Sequence, residues 1–517
     1  MKKTRILLAL MLSIVLITSI MTACGNKPAN KTADTDKGGT QRSVSTGKND
    51  NSLTLAIKDQ ITSIDPEQHT RASEDAVCMQ IYDPLFLVDN DGNIKNMLLE
   101  SYTKNEDGSV DFVLKSNVKF HSGDTLKSED VEYSLKRCEN STLCSALFGT
   151  IDMTITDDTH FKWTFPAADQ GAGFDELKDY VQSMGIVNKS FCEGLLSKPT
   201  DNLNVKSDGT GAYVLKEQAP NGDITLTRFA DYYGVASIDS LYYKYLTGSE
   251  EMAFESGSID MAVYGATNYE RIKTYSNVNA NSQVLNSLTF LICNSTKDSK
   301  LADIRVREAV ARCLNRDDIT SIGSNDSGTT AYNLANPLIT YYADNANHFE
   351  TDIEKANSLM TEAGYSKSNK LPIKLIVMSS YPDHVAACEA MKEELEQSYF
   401  TVTINQVDDT TPYFTYGFDL GMISLSLTTQ FNSYSALFDT ATGLNLSGIE
   451  DKGILDAFSG IKDEATTQNA MKLSTESLAY IPLFYNTTFF AFDSDLNPGP
   501  FYMSVTGFRY CDFSWKK

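Results

Sequence analysis

Residues 373–427 read IKLIVMSSYPDHVAACEAMKEELEQSYFTVTINQVDDTTPYFTYGFDLGMISLSL. Three strand-like runs lie here, Ile373 to Met378, Thr401 to Val407 and Leu420 to Leu427, alternating with a helix-like run that carries Val385, Cys388, Met391 and Leu395. Apolar strand runs separated by a helical period mark an α/β unit, because the helix must bury its stripe on the sheet it connects. Toward the N-terminus the helical signals continue. Asp303 is placed to cap a helix whose Val306, Ala309, Val310, Cys313 and Leu314 share one stripe. Asp352 opens another, with Ile353, Ala356, Met360 and Ala363 inward and Gly364 as its stop.

The first half is richer in strands. Order is expected to begin at Leu53-Thr54-Leu55-Ala56-Ile57, followed by a helix-like stretch from about Ser73 to Ile81. Asp91-Gly92 and Asp107-Gly108 each predict a hairpin, since both turn residues tolerate positive φ. Ser128 is placed to cap a helix with Val131, Leu135 and Cys138 on one stripe. The fold class is mixed α/β with more than one lobe, which suits 517 residues at roughly 100–200 per domain. A hydrophobic content of 41% excludes a disordered or fibrous chain. A net charge of −24 opposes contact with nucleic acid and with an anionic membrane surface, so membrane attachment needs something other than surface charge.

The N-terminus offers it. Lys2, Lys3 and Arg5 precede an apolar run from Ile6 to Met21, ending in Met21-Thr22-Ala23-Cys24-Gly25. This has the three parts of an export signal, and the small residues before Cys24 resemble the lipobox of bacterial lipoproteins, with Met21 where Leu is usual. The resemblance implies cleavage before Cys24 and a diacylglyceryl group on its sulfur, and two acyl chains suffice for stable anchoring. Residues 24–51, with Val44 the only branched aliphatic after Gly25, read as a flexible tether reaching about 30 Å.

Chemical motifs are sparse. There is no G-x-S-x-G, H-E-x-x-H or Walker-type loop, and the five histidines (69, 121, 160, 348 and 384) show no metal-ligand spacing. An EF-hand reading of Asp89 to Glu100 fails because its sixth position is Ile94, where the loop needs Gly. No cofactor, no metal and no catalytic group is expected. Besides Cys24, eight cysteines remain, of which Cys138 and Cys144 form the only close pair; disulfides and buried thiols both stay open.

Ordered blocks then carry a resemblance. Tyr82-Asp83-Pro84-Leu85-Phe86, Val118-Lys119-Phe120-His121-Ser122-Gly123-Asp124 and Ser128-Glu129-Asp130-Val131 come first. Gly209-Thr210-Gly211-Ala212-Tyr213 follows, leading to Ala230-Asp231-Tyr232-Tyr233-Gly234 and Ser256-Gly257-Ser258-Ile259-Asp260. The last are Asp303-Ile304-Arg305-Val306-Arg307-Glu308-Ala309, Asn315-Arg316-Asp317-Asp318-Ile319, Glu362-Ala363-Gly364-Tyr365 and Ile481-Pro482-Leu483. This order closely resembles extracellular solute-binding proteins of family 5, the oligopeptide-, dipeptide- and nickel-binding proteins of bacterial ABC importers. Several blocks also have structural readings, Gly209-Thr210-Gly211 as a tight backbone passage among them.

The resemblance implies a bilobal periplasmic-binding-protein-like α/β fold with a hinge and an extra inserted α+β domain. Lobe I would combine residues 52–82, 204–285 and 480–517, the inserted domain 83–203, and lobe II 286–479. Ligand would lie in the cleft between lobes, and closure would present a shape to an ABC permease and its ATPase. The expected protein is a monomeric, lipid-anchored binder at the extracytoplasmic face that captures a small molecule or short peptide without altering it. A ligand-sensing lipoprotein coupled to a sensor and an extracellular hydrolase are the rival classes.

By similarity, ligand contacts come from His69, Thr70 and Arg71, and from the segment after Asp419 that includes Ser424, Leu425, Thr428, Thr429 and Phe431. Tyr264, Asn294, Tyr332, Asn333 and Tyr485 are further candidates. Many peptide binders of the family carry a Trp and an Asp in that segment, the Asp holding the peptide's ammonium. Here no Trp and no acidic residue stands between Asp419 and Asp439. An enclosed ammonium would meet only hydroxyl and amide partners. Two ligand classes follow: a peptide whose ammonium finds a carboxylate elsewhere or stays hydrated, or a solute without that ammonium, such as a blocked peptide, a glycan or another polar metabolite.

Overall fold

The computed structural model describes residues 41–43 and 47–517, apart from 68–71, 89–92, 141–151, 165–173, 175–180, 183, 197–201, 338, 340, 427–433, 441–443 and 503–506. The chain forms two compact units. One is Gln283–Thr488; the other combines the described residues before it with Phe489–Lys517.

In the unit that includes Phe489–Lys517, Leu53, Leu55 and Ile57 alternate into a core, so β1 (Ser52–Ile57) can lie at a sheet edge with one apolar face. It pairs in parallel with β8 (Ser240–Tyr245), which continues antiparallel to β7 (Ile224–Arg228) and β6 (Tyr213–Gln218). A second, antiparallel sheet runs β2 (Leu99–Lys104), β3 (Val110–Leu114), β5 (His160–Thr164), β4 (Asp152–Ile155), with its own core of Phe112, Phe120, Val131, Leu135, Phe161 and Trp163. The Asp107-Gly108 turn joins β2 to β3 with Gly108 at φ 81° and the Asp107 carboxylate accepting from the Ser109 N–H at 3.0 Å. Asp91-Gly92 lies outside the described residues, but the strands on either side of it, Phe86–Val88 and Ile94–Asn96, do pair antiparallel. β9 (Met261–Tyr264) pairs with residues 489–492.

Two local expectations change. Ser128 does not cap α2 (Ser128–Asn140): its hydroxyl has no partner, and the Asp130 carboxylate accepts the Lys127 N–H at 2.9 Å instead. Ser128 already sits inside the helix, with its own N–H given to the Asp158 carbonyl at 2.8 Å. Order also begins before Leu53. Arg42 is 3% exposed and donates to the carbonyls of Phe254 (2.9 Å) and Ile259 (2.8 Å) and to the Asp493 carboxylate (3.0 Å). A guanidinium carries five donors, so one residue can dock a segment that has almost no apolar side chain.

The sequence blocks from distant positions meet in this unit. The His121 N–H donates to the Gly209 carbonyl at 2.9 Å, and His121 Nε2 lies 2.9 Å from the Gly211 carbonyl. Residues 209–211 pass so close to the end of α1 (Ala72–Ile81) that a Cβ on Gly209 would lie 2.1 Å from the Ile81 oxygen, and one on Gly211 2.5 Å from that of Gln80. The expected tight passage is therefore a real contact between backbones.

In Gln283–Thr488 the chain builds the α/β layer. β10 (Val278–Cys293) enters it, α3 (Ile304–Cys313) and α4 (Arg316–Gly323) follow, and β11 (Thr329–Thr330) adds to the last strand. Then come α5 (Ile353–Glu362), β12 (Leu371–Met378), α6 (Pro382–Glu396), β13 (Phe400–Val407), β14 (Leu420–Ser426), α7 (Glu464–Glu476) and β15 (Tyr480–Asp493), which leaves the unit. Sheet order is β15-β10-β14-β12-β13. β12 and β13 are parallel, as a strand-helix-strand crossover through α6 requires. Asp303 and Asp352 cap α3 and α5 as expected, and Gly364 ends α5 at φ 94°. Val306, Val310, Ile373, Leu375, Met391, Leu395 and Phe484 share one core. Each such buried side chain contributes about 1.5–3 kcal/mol.

Cys78, Cys192, Cys293, Cys313, Cys388 and Cys511 are buried free thiols. The Cys138 side chain and Cys144 lie outside the described residues.

Candidate functional site

Along one face of β10, Cys293 stands opposite Leu420 and Leu291 opposite Met422, all four in the apolar core. Further up the same face the apolar side chains stop. Thr289 stands opposite Ser424, and Ser287 opposite Ser426. The Thr289 and Ser424 hydroxyls share a 2.6 Å hydrogen bond. From the neighbouring strand, Asn486 Nδ2 donates to the Ser287 hydroxyl at 2.9 Å and reaches that of Thr289 at 3.4 Å. Ser287 and Thr289 are buried, Ser424 and Asn486 half-buried and Ser426 exposed, so the stripe crosses three strands and opens to water at one end. These five side chains carry no charge. Each hydroxyl donates and accepts, an arrangement that selects hydroxyl or amide groups by geometry rather than by Coulomb attraction.

A polar frame stands beside the stripe. The Tyr485 hydroxyl lies 2.7 and 2.6 Å from the carbonyls of Asn333 and Ala335. Asn333 Oδ1 accepts from the Ala335 N–H (2.9 Å) and the Thr475 hydroxyl (3.0 Å). Asn336 Nδ2 donates to the Leu285 carbonyl at 2.8 Å, and its N–H to the Tyr434 hydroxyl at 3.1 Å. The loop that carries Asn333 to Asn336 is thereby held against β10, and burial pushes the Tyr485 phenol well above its ordinary pKa. The frame is rigid because nearly every polar group in it has a partner.

Among the residues singled out in the sequence, Ser424 lies in the stripe, and Asn333 and Tyr485 build its frame. Leu425 is buried opposite Leu288, on the alternate face. Tyr332 stacks on His348 with centroids 4.5 Å apart and carries the Arg316 guanidinium 4.9 Å from its ring. Asn294 lies at the other end of β10, where its Nδ2 donates to the Phe418 carbonyl at 2.8 Å. Tyr264 belongs to the other unit, its hydroxyl 3.3 Å from the Glu251 carbonyl, and burial raises its pKa. Cys24, His69, Thr70, Arg71, Thr428, Thr429 and Phe431 lie outside the described residues. Ser287, Thr289 and Asn486 were not foreseen. The alternation Ser287-Leu288-Thr289 and Ser424-Leu425-Ser426 was visible in the sequence, but only the register shows that the two runs face each other.

Among the described residues no three metal-ligating side chains are gathered, and no helix is long and apolar enough to cross a membrane.

Known proteins share this chain's sequence and fold. The nickel-binding protein NikA of Staphylococcus aureus is 25% identical over 338 residues, 64% of this chain and 65% of its own length. The glutathione-binding protein GsiB of Salmonella typhi is 24% identical over 325 residues, covering 60% and 61%. The chain thus spans just under two thirds of the length of these relatives. The structure of the oligopeptide-binding protein AppA of Bacillus subtilis, in complex with a nonapeptide, superposes with a TM-score of 0.69 at 19% identity, covering 90% of this chain and 99% of that one. This likeness establishes a common fold, the α/β architecture of the periplasmic binding proteins. Residues 93–445 match the model of the middle region of bacterial extracellular solute-binding proteins, family 5. That match covers well over half the sequence, and the chain belongs to the bacterial extracellular solute-binding proteins of family 5.

Proposed function

We propose that this protein is the extracytoplasmic solute-binding lipoprotein of an ABC importer, capturing a peptide or peptide-like solute and delivering it intact to a membrane permease. Membership of family 5 carries the reading, and the nonapeptide held by AppA supports a peptide-sized solute. A binding protein needs a pre-formed polar surface and no reacting group, and the stripe from Ser287 to Asn486 fits that need. The lipobox-like Met21-Thr22-Ala23-Cys24 supports a monomer tethered by lipid to the outer face of the cell membrane. We assign lobe I to residues 52–82, 204–285 and 480–517, the inserted domain to 83–203 and lobe II to 286–479. His69, Thr70, Arg71, Tyr264, Asn294, Tyr332, Asn333, Ser424, Leu425, Thr428, Thr429, Phe431 and Tyr485 are its proposed ligand contacts.

A second reading has its own support. The stripe is uncharged, and no acidic residue stands between Asp419 and Asp439. A solute without a free ammonium, such as a blocked peptide or a glycan, would bring no ammonium to be left unpaired there.

Mass spectrometry of solute released on denaturing the purified protein tests both. An intact free-amino peptide supports the first reading, and an intact blocked peptide or glycan the second. Hydrolysis products accumulating from an added peptide would overturn capture without turnover.

A further inference from the structure

Arg316 is the first residue of α4 and is 3% exposed, with Nε and Nη1 both buried and without a hydrogen-bond partner. Burial lowers its pKa to about 10, and its guanidinium lies over the Tyr332 ring with Cζ 4.9 Å from the centroid. Asp317, Asp318 and Asp344 form their hydrogen bonds with other groups. Asp317 accepts from the Thr330 hydroxyl at 2.6 Å, Asp318 from Asn315 Nδ2 at 2.6 Å, and Asp344 lies 2.9 Å from His348 Nε2. An enclosed guanidinium without a counter-ion is far more costly than a paired one. Its unpartnered donors call for an anion that the described residues do not supply.

We propose that Arg316, with its guanidinium over the Tyr332 ring, is the counter-charge for a carboxylate carried by the captured solute. The guanidinium is planar and matches a carboxylate with two parallel hydrogen bonds, while the aromatic face fixes its orientation without consuming a donor. Residue 332 adjoins Asn333, which the frame of the uncharged stripe holds in place. A solute with one acidic end and an otherwise neutral, hydrogen-bonding body satisfies both features. This rests on the solute-binding reading above and narrows its chemical class.

The test follows the Arg316 Nε–H resonance of the full chain, identified by its absence from Arg316→Met, or from Arg316→Lys should the first variant not fold. Sodium acetate is titrated against sodium chloride at constant ionic strength. The expected result is a saturable shift with acetate and none with chloride. No shift with acetate, or an equal shift with chloride, overturns the assignment. A silent Arg316 in protein that still releases an intact uncharged solute sinks the carboxylate site and leaves solute capture standing. Turnover of an added peptide would sink both.

Discussion

Arg42 Nη1 lies 3.0 Å from Asp493 Oδ2, joining two residues 451 positions apart in the chain. The guanidinium side chain is fully enclosed, lies over the Phe254 ring with its Cζ 4.0 Å from the centroid, and gives two further donors to carbonyls. Gln41, Ser43 and Lys48 add bonds to Ser276, the Glu255 carbonyl and Asp495. Removing one partner of an enclosed ion pair leaves the other charge uncompensated. Arg42→Ala is therefore expected to destabilise this unit by about 3 kcal/mol. Urea unfolding followed by tryptophan fluorescence reports it, since Trp515 Nε1 donates to the Ser52 carbonyl beside the same segment. An unchanged midpoint would show that residues 41–43 hold nothing.

Two glycines should behave oppositely on replacement by alanine. At Gly209 the new methyl would sit 2.1 Å from the Ile81 oxygen, which also accepts the Gly211 N–H at 2.9 Å. Backbone must move, at a cost of about 3 kcal/mol. At Gly108 the space is open and only φ of 81° resists, at about 1 kcal/mol. Denaturation midpoints that fail to separate the two variants would refute the close passage.

His384 and Glu394 on α6 should oppose each other in acid. His384 lies between Tyr381 and Phe484, and burial lowers its pKa from 6.5 to about 4. The unfolded chain binds its proton first, so its contribution is intact above pH 6.5, falls between 6.5 and 4, and is gone below. Burial, with Asp318 nearby, raises Glu394 from 4.5 to about 7 despite the Asn315 N–H that it accepts. The folded state binds that proton first, so its contribution is intact below pH 4.5 and lost as pH rises to 7. The span is about 3 kcal/mol for His384 and, with solvent screening, about 2 kcal/mol for the half-buried Glu394. Stability of the wild type should therefore change little between pH 4.5 and 6.5. In the same window His384→Phe should become less stable as pH rises, and Glu394→Gln more stable. Parallel pH profiles for the two variants would contradict these assignments.

Ser426 marks the open end of the stripe, opposite Ser287. Ser426→Asp places a carboxylate where the wild type has only hydroxyls and an amide, and it should favour free-amino peptides over their N-acetylated forms by about tenfold. Calorimetry with one peptide in both forms measures the ratio. No gain for the free-amino form would mean that the ammonium does not approach this end.

The anchor is tested by fractionation. Cys24→Ala should move the protein from membrane to soluble fractions, because the lipobox-like segment supplies the only candidate acylation site read from the sequence. Unchanged membrane association would exclude lipidation at Cys24.

Much of the fold was legible before any coordinates. Helices α3, α5 and α6 declared themselves by stripes with a period near 3.6, and the Asp303 and Asp352 caps by position, because these signals are local and repeat every turn. The Asp107-Gly108 hairpin was equally plain. Ser128 misled because a cap stands outside the helix, whereas Ser128 already lies in its first turn; the Asp130 carboxylate instead reaches back to the Lys127 N–H. Arg42 was missed because composition counts apolar side chains, whereas this segment docks through hydrogen bonds to partners more than 200 residues distant.

Sequence alone settled the α/β class, the family blocks and the absence of an acid after Asp419, since each depends on residues that are neighbours in the chain. Which hydroxyls meet Ser424, and that Arg316 comes to lie over Tyr332, was decided only by strand register and helix packing. Those contacts join positions over 100 residues apart or depend on rotamers chosen in a shared core, and no local period encodes them.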